Sequence, residues 1–231
     1  MIGSKKVLGV IIARGGSKGL PGKNVADLGG KPMIAWSVEA GKGSRYIDRL
    51  VLSSDDRAII DAAKEYGCEV PFVRDPALAD DFTGGTDVVI DAVKKLPGYD
   101  YVVLLQATSP LRSAEDVDGC LDRLIASGAP SCLSVTALEK PVEWLMRVNE
   151  HGRLDRLVEG EHTDRRQDAQ VAFAPNGAVY AAKTDWLLET GTFYSEDTAA
   201  YEMPRERSVD IDTELDLAIA AAIIERARAT A

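Results

Sequence analysis

The feature that most constrains this chain is an unbroken apolar run, Val7-Leu-Gly-Val-Ile-Ile-Ala13, that ends directly in a glycine-rich, cationic loop. A Val- and Ile-rich run without polar alternation is the pattern of a strand covered on both faces, as in a parallel sheet layered by helices. The rest of the first 136 residues repeats strand and helix in turn. Pro32 suits a first helical position, and Met33, Ile34, Trp36, Val38 and Ala40 then form an amphipathic helix stopping near Gly41 and Gly43. Leu50 to Ser53 reads as a second strand, and Asp55 or Asp56 as the cap of a helix carrying Ile59, Ile60, Ala63 and Tyr66. Strands are expected at Val70 to Val73, Tyr101 to Gln106 and Cys132 to Thr136, with helices at Thr86 to Leu96 and Asp116 to Ala126. This alternation with short links predicts an α/β fold, a doubly wound and mostly parallel sheet. From about Lys140 to Ala174 the regularity fades into short charged and glycine-rich pieces, which read as an insertion. Val179 to Ala182 then resumes strand character, and Thr213 to Arg228 forms a terminal helix.

With 231 residues, 45% of them hydrophobic, the chain is long enough for one sizeable domain and has no repeats or long linkers. No apolar run approaches the roughly 20 residues of a bilayer span. At the N-terminus only a seven-residue apolar stretch follows Lys5 and Lys6 before Arg14, so no secretory signal is expected. Cys68, Cys120 and Cys132 lack paired metal spacing and sit in apolar segments; reduced core thiols and a cytoplasmic enzyme are expected. Net charge is −10, yet residues 1–31 carry six cations against Asp27 alone. An acidic chain with one basic loop is a poor ligand for nucleic acid or membrane and a good one for a small anion.

That loop, Arg14-Gly-Gly-Ser-Lys-Gly-Leu-Pro-Gly-Lys-Asn24, combines four glycines that admit close backbone approach with three uncompensated cations, the combination a polyphosphate needs. It is neither a Walker loop, since Asn24 follows Gly22-Lys23, nor a dinucleotide fingerprint. Near the other end, Asp210-Ile-Asp212 places two carboxylates on one face if the segment is extended. They are either hard-oxygen ligands for Mg²⁺ or a helix cap with an incidental neighbour, and spacing alone does not choose. Gln106 closes an apolar strand at the end where such sheets bind ligands, and otherwise makes a core hydrogen bond. Arg165-Arg166-Gln167 offers forked donors for a carboxylate, and Asn176 leads an amide into a strand, although each alone also suits a solvated face or a turn. His151 and His162 lie in the irregular stretch and give no zinc pattern.

Five collinear segments now complete a pattern: Ile11 to Asn24, Leu104 to Arg112, Arg165 to Gln167, Asn176 to Tyr180 and Asp210 to Leu217. From residue 6 to about 220 the chain resembles the acylneuraminate cytidylyltransferases, the CMP-sialic acid synthetases and their relatives. The resemblance implies a Rossmann-like sheet of the nucleotide-diphospho-sugar transferase type, CTP and a nonulosonic (nine-carbon 2-keto) sugar acid as substrates, Mg²⁺ as cofactor and pyrophosphate as product. It assigns Arg14, Ser17, Lys18 and Lys23 to the triphosphate, Asn24 and Arg74 to the cytidine, and Asp210 and Asp212 to the metal. Arg14, Lys18, Lys23 and Asp212 carry the catalytic roles; Gln106, Arg166, Gln167, Asn176, Tyr180 and Phe193 line the sugar-acid pocket. It also implies a homodimer whose inserted segment, residues 140–174, reaches into the neighbour's site, with Phe193-Tyr194 packing near the partner's acyl group. Two departures stand out: Glu143 occupies the place where sialic-acid synthetases often carry lysine, and Ala107 replaces a proline. A legionaminic- or pseudaminic-type acceptor is therefore expected alongside sialic acid, with a CMP-Kdo synthetase and a non-catalytic nucleotide-binding module as the rival readings.

Overall fold

The computed structural model describes residues 2–17, 19–80, 83–158 and 169–230. The chain opens with β1 (Val7–Ile12), α1 (Met33–Gly43), β2 (Arg49–Ser53), α2 (Arg57–Glu65), α3 (Gly85–Lys95), β3 (Tyr101–Gln106), α4 (Ala114–Ser127) and β4 (Ser131–Ala137). It continues with β5 (Met146–Val148), β6 (Leu154–Arg156), β7 (Phe173–Lys183), α5 (Thr184–Thr190), β8 (Ala199–Glu202) and α6 (Glu214–Thr230). Among the described residues six strands form one sheet in the order β2-β1-β3-β7-β4-β8, and β5 and β6 pair as a separate antiparallel hairpin. β1 is parallel to β2 and β3, β4 is parallel to β8, and β7 runs antiparallel to both β3 and β4. Five strands therefore point one way and β7 alone is reversed.

The strand sequences explain why both faces are covered. Along β1, Val7 and Ile11 face a core shared with α1, α2 and α4, while Leu8 and Val10 face a second core against α3 and α5. Successive side chains of a strand alternate sides, so only an apolar run without alternation can feed two cores. A third cluster, Leu28, Met33, Ile211, Ala220 and Ile224, seats α6 beside the loop after β1. The helices start where side chains satisfy their free N–H groups: Asp56 accepts from Ile59 N at 3.0 Å, and Ser113 with Asp116 forms a capping box on α4.

Four expectations are corrected. Val70 to Val73 is not a strand; only Glu69 bridges to Val51, because Pro71 lacks a donor and the segment instead walls a groove against α2. β7 is longer than Val179 to Ala182, because an irregular register opposite Leu133 and Val135 lets Pro175 and Gly177 continue it. The short α5 and the edge strand β8 were not foreseen. All three cysteines are free and buried, as expected, and burial pushes the Cys68 thiol up to about 12. No helix among the described residues is long and apolar enough to cross a membrane.

β3 is the strand that both cores share at the centre of the sheet, and Leu105 is completely buried there. Leu105→Ala is expected to lower unfolding free energy by about 2–5 kcal/mol, the cost of an unfilled core cavity. Urea denaturation checks this, and a loss below 1 kcal/mol would show that the site collapses around the gap.

Candidate active site

A cleft of about 390 Å³ opens at the carboxyl ends of β1 and β3, the place where open α/β sheets take their ligands. Arg14, Ser17, Lys23, Asn24, Arg74, Gln106 and Asp212 all border it. These residues are scattered over 199 positions of sequence, and strand order alone brings them together.

The loop after β1 is shaped by internal bonds. Asn24 Nδ2 donates to Arg14 O at 3.0 Å, and Gly15 N donates to Asp55 Oδ1 at 3.3 Å. Gly22, at φ 71°, occupies the left-handed region that admits the turn placing Lys23. Lys23 is buried, and its ammonium donates to Ile211 O at 2.6 Å and to Asp212 Oδ1 at 2.8 Å. The cationic loop and the acidic segment therefore meet directly. Arg14 reaches across the cleft and donates to Asp80 O at 2.6 Å, which brings the residues before α3 over its edge. Asn24 Oδ1 is buried and meets no hydrogen-bond partner among the described residues, so an acceptor is left for a ligand. Lys18, Arg166 and Gln167 lie outside the described residues, as do Arg165 and His162.

Arg74 is buried behind the cleft, where its guanidinium donates to the carbonyl and hydroxyl of Ser53 at the end of β2. Burial draws its pKa down to about 10, opposed by the Asp55 charge, so it remains a cation at neutral pH. Ile211 points into the core with Leu28 and Met33, and its N–H donates to Thr108 O at 2.8 Å. Asp210 and Asp212 on either side of it face outward, as the spacing predicts, but onto different openings. Asp212 borders the cleft, and Asp210 a groove of about 560 Å³ walled by Leu138 and Ile219. Asp210 is solvent-accessible yet surrounded by protein in that concavity. This desolvation raises its pKa against the opposing bond from Thr108, with the neighbouring Asp212 charge adding to the rise. Two adjacent carboxylates suit a hard cation that fills its remaining positions with water and phosphate oxygens, so the donor chemistry fits Mg²⁺.

The remaining candidates lie off the cleft. Asn176 is buried with its amide engaged: Oδ1 accepts from Ser134 Oγ at 2.6 Å and from Ala178 N at 3.1 Å, and Nδ2 donates to Ser208 Oγ at 2.9 Å. Tyr180 is half-buried and shares a hydroxyl contact of 3.2 Å with Tyr194. Phe193 does not line a pocket here: it is wholly buried, edge-on to Tyr180 at 5.8 Å between ring centres, because α5 and β7 enclose it in the second core. The accessible member of that aromatic pair is Tyr194, 53% exposed. Sequence reasoning missed Thr83 and Gly85, which bring the start of α3 to the cleft rim, and the Gly84-Gly85-Thr86 break was their only signal. It also passed over Arg112, discussed below.

Comparisons with known proteins extend over nearly the whole chain. Residues 8–220 match a family model described as Cytidylyltransferase. The chain is 36% identical over 219 residues to a pseudaminic acid cytidylyltransferase of Campylobacter jejuni, covering 93% of this chain and 94% of that one. It is 33% identical over 225 residues to a CMP-N,N'-diacetyllegionaminic acid synthase of Legionella pneumophila, covering 95% and 97%. Among solved structures, CMP:2-keto-3-deoxy-manno-octonic acid synthetase complexed with CTP has a TM-score of 0.73 at 20% identity, covering 96% of this chain and 99% of that one; the likeness is one of fold.

The contact between loop and acidic segment leaves no room for a side chain at Gly19, where a Cβ would overlap the carbonyl oxygen of Asp212. Gly19→Ala is expected to part the two regions and to weaken nucleotide binding at least tenfold, read by calorimetric titration with CTP. An unchanged affinity would mean that the contact does not organise the cleft.

Proposed function

We propose that this chain, which belongs to the cytidylyltransferase family, transfers CMP from CTP to the anomeric hydroxyl of a nonulosonic acid of the pseudaminic, legionaminic or sialic type and releases pyrophosphate. The family membership rests on the match over residues 8–220. The observation that carries the reaction is the meeting of Lys23 with Asp212 inside a cleft also bordered by Arg14 and Arg74. The full-length likeness to the pseudaminic and legionaminic enzymes supports the acceptor class.

In this reading cytidine sits toward Arg74 and Asn24, whose unsatisfied Oδ1 accepts from the exocyclic amine of cytosine while the guanidinium donates to the ring carbonyl. The triphosphate lies along residues 14–23. The anomeric oxygen attacks the α-phosphorus in line, a new P–O bond forms, the bond to the bridging oxygen breaks, and the hydroxyl proton leaves to a base. Lys23 exchanges its Asp212 contact for a phosphate oxygen and stabilises charge on the departing pyrophosphate with Arg14 and Lys18. This exchange leaves both carboxylates, Asp210 and Asp212, free to hold Mg²⁺, which supplies charge neutralisation at the phosphate oxygens. A CTP-consuming reaction and three reduced, buried thiols fit a cytoplasmic setting.

A homodimer completes the proposal. Val148, Leu154, Leu157, Val171 and Phe173, in and around the β5–β6 hairpin, are 45–69% exposed. Exposed large apolar side chains this frequent along one stretch of chain suit an interaction face, and a second copy of the chain is the proposed occupant.

A pyrophosphate-release assay with CTP, UTP and GTP against pseudaminic, legionaminic, sialic and eight-carbon keto-sugar acids tests the reaction. CTP with a nine-carbon acid is expected to give product, whereas release only with UTP or GTP would overturn the cytidyl assignment. Excess EDTA should stop turnover and Mg²⁺ restore it. Lys23→Ala and Asp212→Ala are each expected to fold yet lose at least about a hundredfold in kcat, since each removes a charge placed to stabilise the transferring phosphate. Near-normal rates in either would remove it from the mechanism. Sedimentation equilibrium should return twice the 24.8 kDa chain mass, falling to one chain when Leu154 is replaced by Asp.

A further inference from the structure

Resting on the cytidylyltransferase reading, we propose that the bidentate pair of buried Asp116 and part-exposed Arg207 is the positioning device that fixes where Asp210 and Asp212 stand relative to the Lys23 loop.

The Asp116 carboxylate is completely buried, although it touches neither the cleft nor the groove. Arg207 grips it with both arms of its fork, Nε to Oδ2 at 2.7 Å and Nη2 to Oδ1 at 2.8 Å, while Ser113 N donates to Oδ2 at 2.9 Å. A bidentate pair sets direction as well as distance, and a carboxylate without access to water cannot release its partner without leaving a charge uncompensated. Arg207 stands three residues before Asp210. The segment between is tied again at Ser208, whose hydroxyl accepts from Asn176 and donates to Pro204 O at 2.9 Å. Its far end is held at Ile211 by Thr108 O and by the buried side chain. Asp210 and Asp212 thus ride on a short strap clamped at both ends.

The near clamp is referenced to the substrate end of the sheet through α4. Four residues before Asp116, the buried guanidinium of Arg112 donates to Ala178 O and Ser37 Oγ, both at 2.8 Å, and to the carbonyl of Gln106. One turn of chain, Arg112 to Asp116, therefore holds the end of β3 that carries Gln106 and, through Arg207, the strap that carries the two carboxylates. Mg²⁺ tolerates little departure from octahedral geometry, so a shift of the strap by a fraction of an ångström would register at the metal before it registered in the fold.

Arg207→Lys keeps the charge and loses the fork, and Arg207→Gln removes both. Hydrogen exchange on the CTP-free protein reads the strap directly: in both variants the amides of residues 208–213 are expected to exchange at least tenfold faster, while those of β1 and β3 keep their wild-type rates. The Mg²⁺ concentration for half-maximal pyrophosphate release should rise at least fivefold, with KM for CTP changed less than twofold. Unchanged strap exchange, acceleration spread evenly through the sheet, or failure of Arg207→Lys to fold would each overturn the proposal, the last two because they assign the pair to global stability. If wild-type protein released no pyrophosphate from CTP with any acid, the reaction would fall, and the exchange data would still decide the strap.

Discussion

One ammonium group joins the two ends of this chain. Lys23 Nζ lies 2.6 Å from Ile211 O and 2.8 Å from Asp212 Oδ1, across 188 and 189 positions of sequence. The two contacts do different work. Asp212 keeps 72% of its side-chain exposure, so water screens the ion pair and limits what it adds to stability. The bond to Ile211 O, made by a lysine with 9% side-chain exposure, lies inside. Leaving either partner unsatisfied there would carry a desolvation penalty, so the carbonyl bond and the burial of Ile211 anchor the contact while Asp212 sets the direction of the ammonium. The same weakness of the ion pair makes it exchangeable, and a lysine that gives up a carboxylate for phosphate suits a site that must accept a triphosphate and a cation together.

The sign of the site follows from where the buried cations stand. In a chain of net charge −10, Arg74 and Arg112 are held at the carboxyl ends of β2 and β3 with neutral hydrogen-bond acceptors, carbonyls and hydroxyls, around them. Burial lowers the Arg112 pKa to about 9, against the pull of the Asp116 and Asp210 charges. It still leaves a cation at neutral pH. A guanidinium bonded only to neutral groups has its charge incompletely cancelled, and low-dielectric walls carry that field toward the cleft. The acidic remainder of the chain leaves the cleft with its loop cations as a local exception to the net charge of −10.

What could be read from sequence, and what could not, divides on how each segment is buried. β1 and β3 were legible because strands covered on both faces are almost wholly apolar, and β4 showed through Cys132, Leu133 and Val135 although the buried Ser131 and Ser134 interrupt its run. β8 was not, because an edge strand of four residues alternates half-buried and exposed positions and looks like a loop. The seven residues of α5 are too few to show a helical period. Val70 to Val73 has the composition of a strand but covers a groove beside α2, and composition cannot separate pairing from covering. At the site, charge and glycine exposed the loop, and spacing exposed Asp210 and Asp212. Phe193 was assigned to the sugar pocket by resemblance alone, and a resemblance does not say whether an aromatic side chain packs inward, as this one does, or faces a ligand. Asp116 and Arg207, 91 positions apart, have no local signal of their pairing at all.

The surfaces that adjoin the cleft bear on how two substrates share the site. In the proposed reaction the acceptor reaches the α-phosphorus over one of two of them. The groove past Asp210 is the larger, but Glu139, Glu206, Asp210 and Asp216 border it, and its one arginine, Arg205, is already paired with Glu139. A carboxylated sugar entering there would be repelled by like charge. The other approach runs past Gln106 toward Tyr180 and Tyr194, where Gly177, at φ 75° in the left-handed region that favours glycine, lies beside the Gln106 amide. Along it stand the Gln106 amide and the hydroxyls of Tyr180 and Tyr194. In-line displacement sets the attacking and leaving oxygens on opposite sides of the phosphorus, so an acceptor arriving past Gln106 would require the pyrophosphate to depart toward the Lys23 loop.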